Sequence, residues 1–318
     1  MAKKFKPKAK SVAAVSPFDV YQMVTDKILK QIEETGKLTW VKPWKVGAGQ
    51  SNFPMNGKTK RRYDGVNFFL LQFSGYCSPY WFSFKQIEEL KGNIKKGEKA
   101  TQIVFWKINL YDEVNEVTGK TETKKVPMLR YYNVFNLEQT EGIVMPVIGV
   151  PEPLNEHQPI ELSESVIDQY GRLQPSLKLQ VRESPKAYYQ PGADLVNMPV
   201  IGQFESPEAY YSTYFHELGH STGHETRLNR KEVTGNHSHF GSGDYGQEEL
   251  TAELTAAFIC AEIGLSNETQ ERNSVAYLKN WMNTIKADKK MFVMAAGRAT
   301  KAANLILNKQ EIKEEDIN

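Results

Sequence analysis

Ser206-Pro-Glu-Ala-Tyr-Tyr-Ser-Thr-Tyr-Phe-His-Glu-Leu-Gly-His220 is the stretch on which the fold turns. Ser206 at the cap, Pro207 in the first turn and Glu208 beside it predict a helix running to about Gly223. Inside that helix His216-Glu217-Leu218-Gly219-His220 is an H-E-x-x-H motif. Residues four apart are rotated by about 40° and raised by about 6 Å, so both imidazoles face one side and can close on one ion. Glu217 sits on the adjacent face, where it reaches the ion's water as a general base without being a ligand. The donor set suits one zinc ion per chain with an open position for water; manganese or cobalt is also compatible.

A third protein ligand is required, and the next expected helix, over about 246–263, offers Gln247-Glu-Glu-Leu-Thr-Ala-Glu-Leu254. Glu249 and Glu253 share a face at i, i+4. We assign Glu249 as the ligand and Glu253 as the acceptor that holds a ligand histidine by its free N–H; the reverse order is the open alternative. Glu248 points elsewhere on the helix and is expected in solvent. His224 lies about 12 Å along the axis from His216, too far to share an ion bound at about 2 Å. A hydrogen-bonded helix-end histidine is its expected role. His237 and His239, in the Gly/Ser-rich segment Gly235 to Gly246, read as surface histidines, and Tyr245 as a packing tyrosine. The strand Asp194–Pro199 reads either as an edge able to pair with an extended peptide or as a plain core strand.

Outward from this site the chain divides. Its 318 residues suggest two domains. Residues 1–150 hold 24 Lys+Arg against 14 Asp+Glu, a balance of +10; the rest hold 16 against 24, or −8. The basic half is the candidate for a polyanionic partner. No run approaches the roughly 20 apolar residues that span a bilayer, and the basic start lacks a signal-peptide core. Two distant cysteines, Cys77 and Cys260, give no disulfide framework. The expectation is a cytoplasmic protein without a membrane partner.

Four Pro residues between 145 and 160 mark a linker. The expected layout is a disordered basic tail at 1–15, an N-terminal domain at 16–145, the linker at 146–160 and a C-terminal domain at 161–318. A helix near 17–35 is expected, capped by Ser16 with Pro17 in its first turn and ended by Gly36. A shorter helix at 84–91 carries a Ser83/Gln86 capping box. Strands are expected at 101–108 and 126–135, joined by the charged segment 111–125 as a loop. Asn56-Gly57 signals a hairpin turn. Beyond the linker follow a helix at 163–172, strands near 186–190 and 194–198, and a helical region over 267–308.

The basic half interleaves cations with rings, the mixture a single-stranded nucleic acid needs for phosphate pairing and base stacking. Lys58, Lys60, Arg61 and Arg62 at the turn are the sharpest element, because four cations at a turn tip cannot be core. Tyr63, Trp44 and Trp81 complete the candidate surface. Trp106, Arg130, Tyr131 and Tyr132 continue the pattern.

Several longer stretches resemble the ArdC-type antirestriction proteins of plasmids and other mobile elements. In the N-terminal half these are Phe18–Glu34, Pro54-Met-Asn-Gly-Lys-Thr-Lys-Arg-Arg-Tyr-Asp-Gly-Val-Asn67, Trp81-Phe-Ser-Phe84, Lys96-Gly-Glu-Lys-Ala100 and Tyr132-Asn-Val-Phe-Asn136. In the C-terminal half they are Tyr210 to His224, Arg227-Leu228 and Glu248 to Glu253. The resemblance implies an α+β protein with an N-terminal domain that binds single-stranded DNA. It implies a C-terminal zincin-like metallopeptidase domain, and a role in protecting incoming DNA from host restriction during conjugation. A host restriction or regulatory protein is the expected peptidase substrate. Glu249-x-x-x-Glu253 is similar to gluzincin-type patterns in which the first acid binds metal. The competing expectation is a non-enzymatic DNA-shielding protein whose metal is structural.

Overall fold

Asp19, not Ser16, opens the first helix. Its carboxylate accepts from the backbone N–H of Tyr21 and Gln22, and Gly36 ends the helix at φ 64°. This helix, α1 (Val20–Thr35), buries Val24, Ile28 and Ile32 at helical spacing. The computed structural model describes residues 19–36, 53–114, 121–143, 158–234, 243–265 and 282–309. Ser16, Pro17, the basic tail, Trp44, His237, His239 and the expected linker up to residue 157 lie outside them, as does the side chain of Tyr245.

A second helix, α2 (Val66–Gln72), has no periodic signature in the sequence, because Val66, Phe68, Phe69, Leu70 and Leu71 are apolar all round. Such a helix is stable only when buried on every side. Its Asn67 donates Nδ2–H to the Val104 carbonyl and accepts the Val104 N–H, both at 2.7 Å. That pair covers part of an edge strand.

The main sheet runs β1-β2-β5-β4, from β1 (Met55–Asn56), β2 (Tyr80–Ser83), β4 (Thr101–Val114) and β5 (Thr121–Asn136). β1 lies parallel to β2, and the other pairs are antiparallel. The segment 111–125 is therefore not one loop. The ladder continues through Tyr111↔Lys124 and Asp112↔Thr123 to Val114↔Thr121. Regular cross-strand pairing overrides the low strand preference of a charged stretch. Helix α3 (Phe84–Glu89) starts with the expected Ser83/Gln86 box. A small pair, β3 (Asn93–Ile94) with β6 (Thr140–Glu141), sits beside it.

The C-terminal half holds a three-stranded sheet ordered β7-β9-β8, from β7 (Lys178–Val181), β8 (Tyr188–Gln190) and β9 (Leu195–Met198). β9 is the central strand, paired parallel with β7 and antiparallel with β8. Its main chain is spent within the sheet, so the edge-strand reading of 194–199 is set aside. Around the sheet lie α4 (Gln158–Leu173), α5 (Pro207–Ser221), α6 (Lys231–Thr234) and α7 (Gly243–Ile263). Helical residues 282–287 (α8) and α9 (Met291–Ile306) close the fold. α4 starts inside the segment read as linker. One apolar cluster joins the halves: the Phe258 ring on α7 stands 5.0 Å from Phe68 and 5.1 Å from Phe69, and Phe292 on α9 stands 5.5 Å from Phe69. Among the described residues no helix is long and apolar enough to cross a membrane.

Candidate metal centre

Ser206 caps α5 by accepting the Ala209 N–H at 3.1 Å, and Pro207 occupies the first turn. The far end is anchored as well. Arg227 donates Nε–H to the Ser221 carbonyl at 2.7 Å and pairs with Asp194, which opens β9 and accepts from Tyr189 Oη at 3.0 Å. The motif residues are thereby fixed against α7.

Gly219 sets the depth of that contact. A Cβ there would stand 3.2 Å from Ala252 Cα and 3.3 Å from the Ala252 carbonyl oxygen, so the two backbones approach where only glycine fits without a shift. Gly219→Val is expected to cost about 1–3 kcal/mol, read as a lower denaturation midpoint.

His216 Nε2 and His220 Nε2 face each other at 3.0 Å. Glu249 spans them, with Oε2 3.5 Å from His216 Nε2 and Oε1 3.5 Å from His220 Nε2. With bonds of about 2.0–2.2 Å, two donors on a tetrahedral zinc stand roughly 3.3–3.6 Å apart. The two carboxylate separations fall in that range and the imidazole pair is a few tenths of an ångström tighter, so these residues fit a divalent ion. His216 is 2% exposed and Glu217 5% exposed, which keeps the site largely dry. Burial works against charge on His220, yet the carboxylates of Glu249 and Glu248 prevail and hold its pKa at about 10. Burial likewise opposes charge on Glu249, and the two imidazoles outweigh it and hold its carboxyl far below the usual range.

Glu253 lies on the outer side of His216, with Oε2 3.3 Å from Nδ1. The pair is off the axis of a hydrogen bond, since Nδ1 has no aligned acceptor. Glu248 is the correction to the sequence reading. It is buried, 6% exposed, and its Oε1 lies 3.1 Å from His220 Nδ1. Arg230 clamps it through Nε–H to Oε2 at 2.8 Å and Nη2–H to Oε1 at 2.6 Å, and also donates to the Gly219 carbonyl at 2.8 Å. Arg230 supplies the charge that makes burial of Glu248 tolerable; burial pushes the Glu248 carboxyl up, and Arg230 and His220 bring it below its ordinary value. Glu248→Gln is expected to weaken zinc binding tenfold to a hundredfold, about the range for a lost orienting contact, measured by competition with a chromogenic chelator. His224 stays outside the cluster, its Nδ1 2.9 Å from Thr226 Oγ1.

Comparison with known proteins follows the same division. Residues 18–135 match the family described as the N-terminal domain of anti-restriction factor ArdC, and residues 173–298 match a zincin-like metallopeptidase family. A crystal structure of metal-free antirestriction ArdC from plasmid R388 is 33% identical, with a TM-score of 0.71 over 92% of this chain and 100% of that one. The chain belongs to the ArdC antirestriction family. The Mn(II)-bound structure of the R388 protein is 31% identical, with a TM-score of 0.68 over 92% of this chain and 98% of that one. Protein y4eC of Sinorhizobium fredii is 32% identical over 91% of this chain and 92% of its own length. A DNA primase TraC of Escherichia coli is 30% identical over 90% of this chain, which spans 27% of that primase.

The basic turn of this ArdC-family chain is mostly occupied. A turn forms, but Asn56-Gly57 opens it and is not its two-residue tip: Asn56 Oδ1 accepts the N–H of Lys58 and Thr59, Lys60 takes the positive φ of 60°, and Met55 bridges Arg62. Lys58 is paired with Glu89, Arg62 Nη1 meets Glu262 at 2.6 Å, and Lys60 Nζ stands 4.2 Å from the centroid of the Tyr80 ring. Arg61 has no ion-pair partner among the described residues. Trp81 is 2% exposed and packs with Leu71, Ile103 and Val134, and Tyr63 is buried beside them. Both rings serve the core and leave no open face for a base.

Proposed function

We propose that this ArdC-family chain is an antirestriction protein of a mobile element that acts in the cytoplasm. Its N-terminal half (16–145) binds single-stranded DNA, and its C-terminal half (161–318) carries a metal-dependent peptidase site. The observation that carries the second part is the facing of His216 Nε2, His220 Nε2 and Glu249 at ion-binding separations. His216, His220 and Glu249 would hold one zinc ion; the manganese seen in the R388 relative fits the same donors. A bound divalent ion supplies Lewis-acid polarisation of a carbonyl. Glu217 takes the proton of the attacking water and passes it to the leaving amine. Glu248 keeps the His220 ring turned toward the shared centre, and the Glu253 carboxylate lies behind the His216 ring. A host restriction or regulatory protein is the substrate.

The DNA part is supported by the +10 balance of residues 1–150 and by the primase relatives. Fluorescence anisotropy with a labelled single-stranded oligonucleotide tests it. Affinity is expected to fall linearly in log–log form as salt rises, with a slope of about −0.7 per phosphate contacted. Absence of binding at about 50 mM salt would end the DNA reading.

A further inference from the structure

The antiparallel register puts Ile103 with Tyr132, Phe105 with Arg130 and Lys107 with Met128 on one face of the β4–β5 ribbon. Ile103 is 1% exposed and closes the small core around Trp81. Past it the face opens. Phe105 is 45% and Tyr132 48% exposed, with ring centroids 5.6 Å apart and edge to face. The Phe105 ring also leans on buried Tyr63, at 6.4 Å, which fixes it from below. Arg130 and Lys107 are exposed, and among the described residues no carboxylate pairs with either. The opposite face is committed elsewhere: Val104 and Leu129 enter the main core, and Trp106 stands 6.2 Å from Tyr21 of α1.

We propose that single-stranded DNA lies across this ribbon face, with bases stacked on Phe105 and Tyr132 and phosphates held by Arg130 and Lys107. This rests on the single-strand reading above and moves its centre away from the turn at 58–62. Two exposed rings in mutual contact, one of them resting on a core ring, with flanking cations that no carboxylate pairs among the described residues, are the arrangement that stacking and phosphate contact require together. At the turn Glu89 and Glu262 already match Lys58 and Arg62 and Lys60 lies over the Tyr80 ring, which leaves Arg61 beside rings with no free face.

The test is oligonucleotide binding by the full chain and its variants. Phe105→Ala with Tyr132→Ala is expected to weaken binding about tenfold or more, while Tyr132→Phe, which keeps the ring, binds as wild type. Arg130→Ala with Lys107→Ala is expected to reduce the salt slope by about 1.4, two phosphates' worth. Lys58→Ala with Glu89→Ala, which removes the turn pair without leaving a lone charge, leaves affinity near wild type. Retained thermal midpoints show that the variants fold. If wild type binds and the ribbon variants bind equally well, the ribbon assignment is wrong while the single-strand reading survives. The ribbon assignment falls in the same way if its variants convert a dimer to a monomer on a sizing column with DNA affinity unchanged. If wild type does not bind at low salt, both fall.

Discussion

Glu217→Gln is expected to abolish peptide hydrolysis while leaving the metal in place. The side chain lies next to His216 on α5 and is buried at 5% exposure, and it is not among the three residues whose donor atoms converge. The amide is isosteric with the acid and cannot take a proton from water. Loss of a general base lowers turnover by about 10²–10⁴-fold. The readout is the appearance of new peptide termini when the zinc-loaded protein meets a peptide library, with metal content measured in parallel. Protection of unmodified DNA entering a restricting host should fall with hydrolysis. If protection survives intact in Glu217→Gln, the peptidase chemistry is not the route to antirestriction.

His216→Ala or His220→Ala is expected to remove the metal itself. Structural zinc sites bind with about 10–16 kcal/mol across their ligand set, so loss of one of three protein ligands weakens binding by more than about a hundredfold. Dialysis against zinc followed by elemental analysis reads this directly. The pH dependence has a definite sign. In the metal-free protein His220 keeps its proton up to a pKa of about 10, so an entering ion must displace it. Uptake at neutral pH therefore releases a proton, and apparent affinity rises with pH.

The motif helix is legible in the sequence because its signals are local. Ser206, Pro207 and the four-residue histidine spacing all act within one element, as does the Ser83/Gln86 box. Glu249 and Glu253 are legible through their shared face. Glu248 is not: consecutive residues on a helix diverge by about 100°, which by itself points it away from Glu249 and toward solvent. His220 meets α7 edge-on, so its two nitrogens take Glu249 on one side and Glu248 on the other. The available signal is Arg230, a cation close after the metal helix that needs a buried acid.

The aromatic residues of the basic half show the complementary failure. Composition cannot separate a core ring from a stacking ring, so it assigns Trp81 and Tyr63 to a binding surface they do not reach. Strand register makes the separation, sending Ile103 inward and Phe105 outward on the same face. α2 leaves no signature because burial on all sides erases periodicity. The full length of the β4–β5 ribbon is hidden because pairing across strands, invisible in either strand alone, carries charged residues into the ladder.

The assignment of His216, His220 and Glu249 as a metal centre is decided by crystals grown with ample zinc and measured at the zinc absorption edge. The expected map has one anomalous peak per chain, about 2.0–2.2 Å from His216 Nε2, His220 Nε2 and a Glu249 oxygen. A map with no peak between those groups, or one whose third ligand is Glu253, would contradict the assignment.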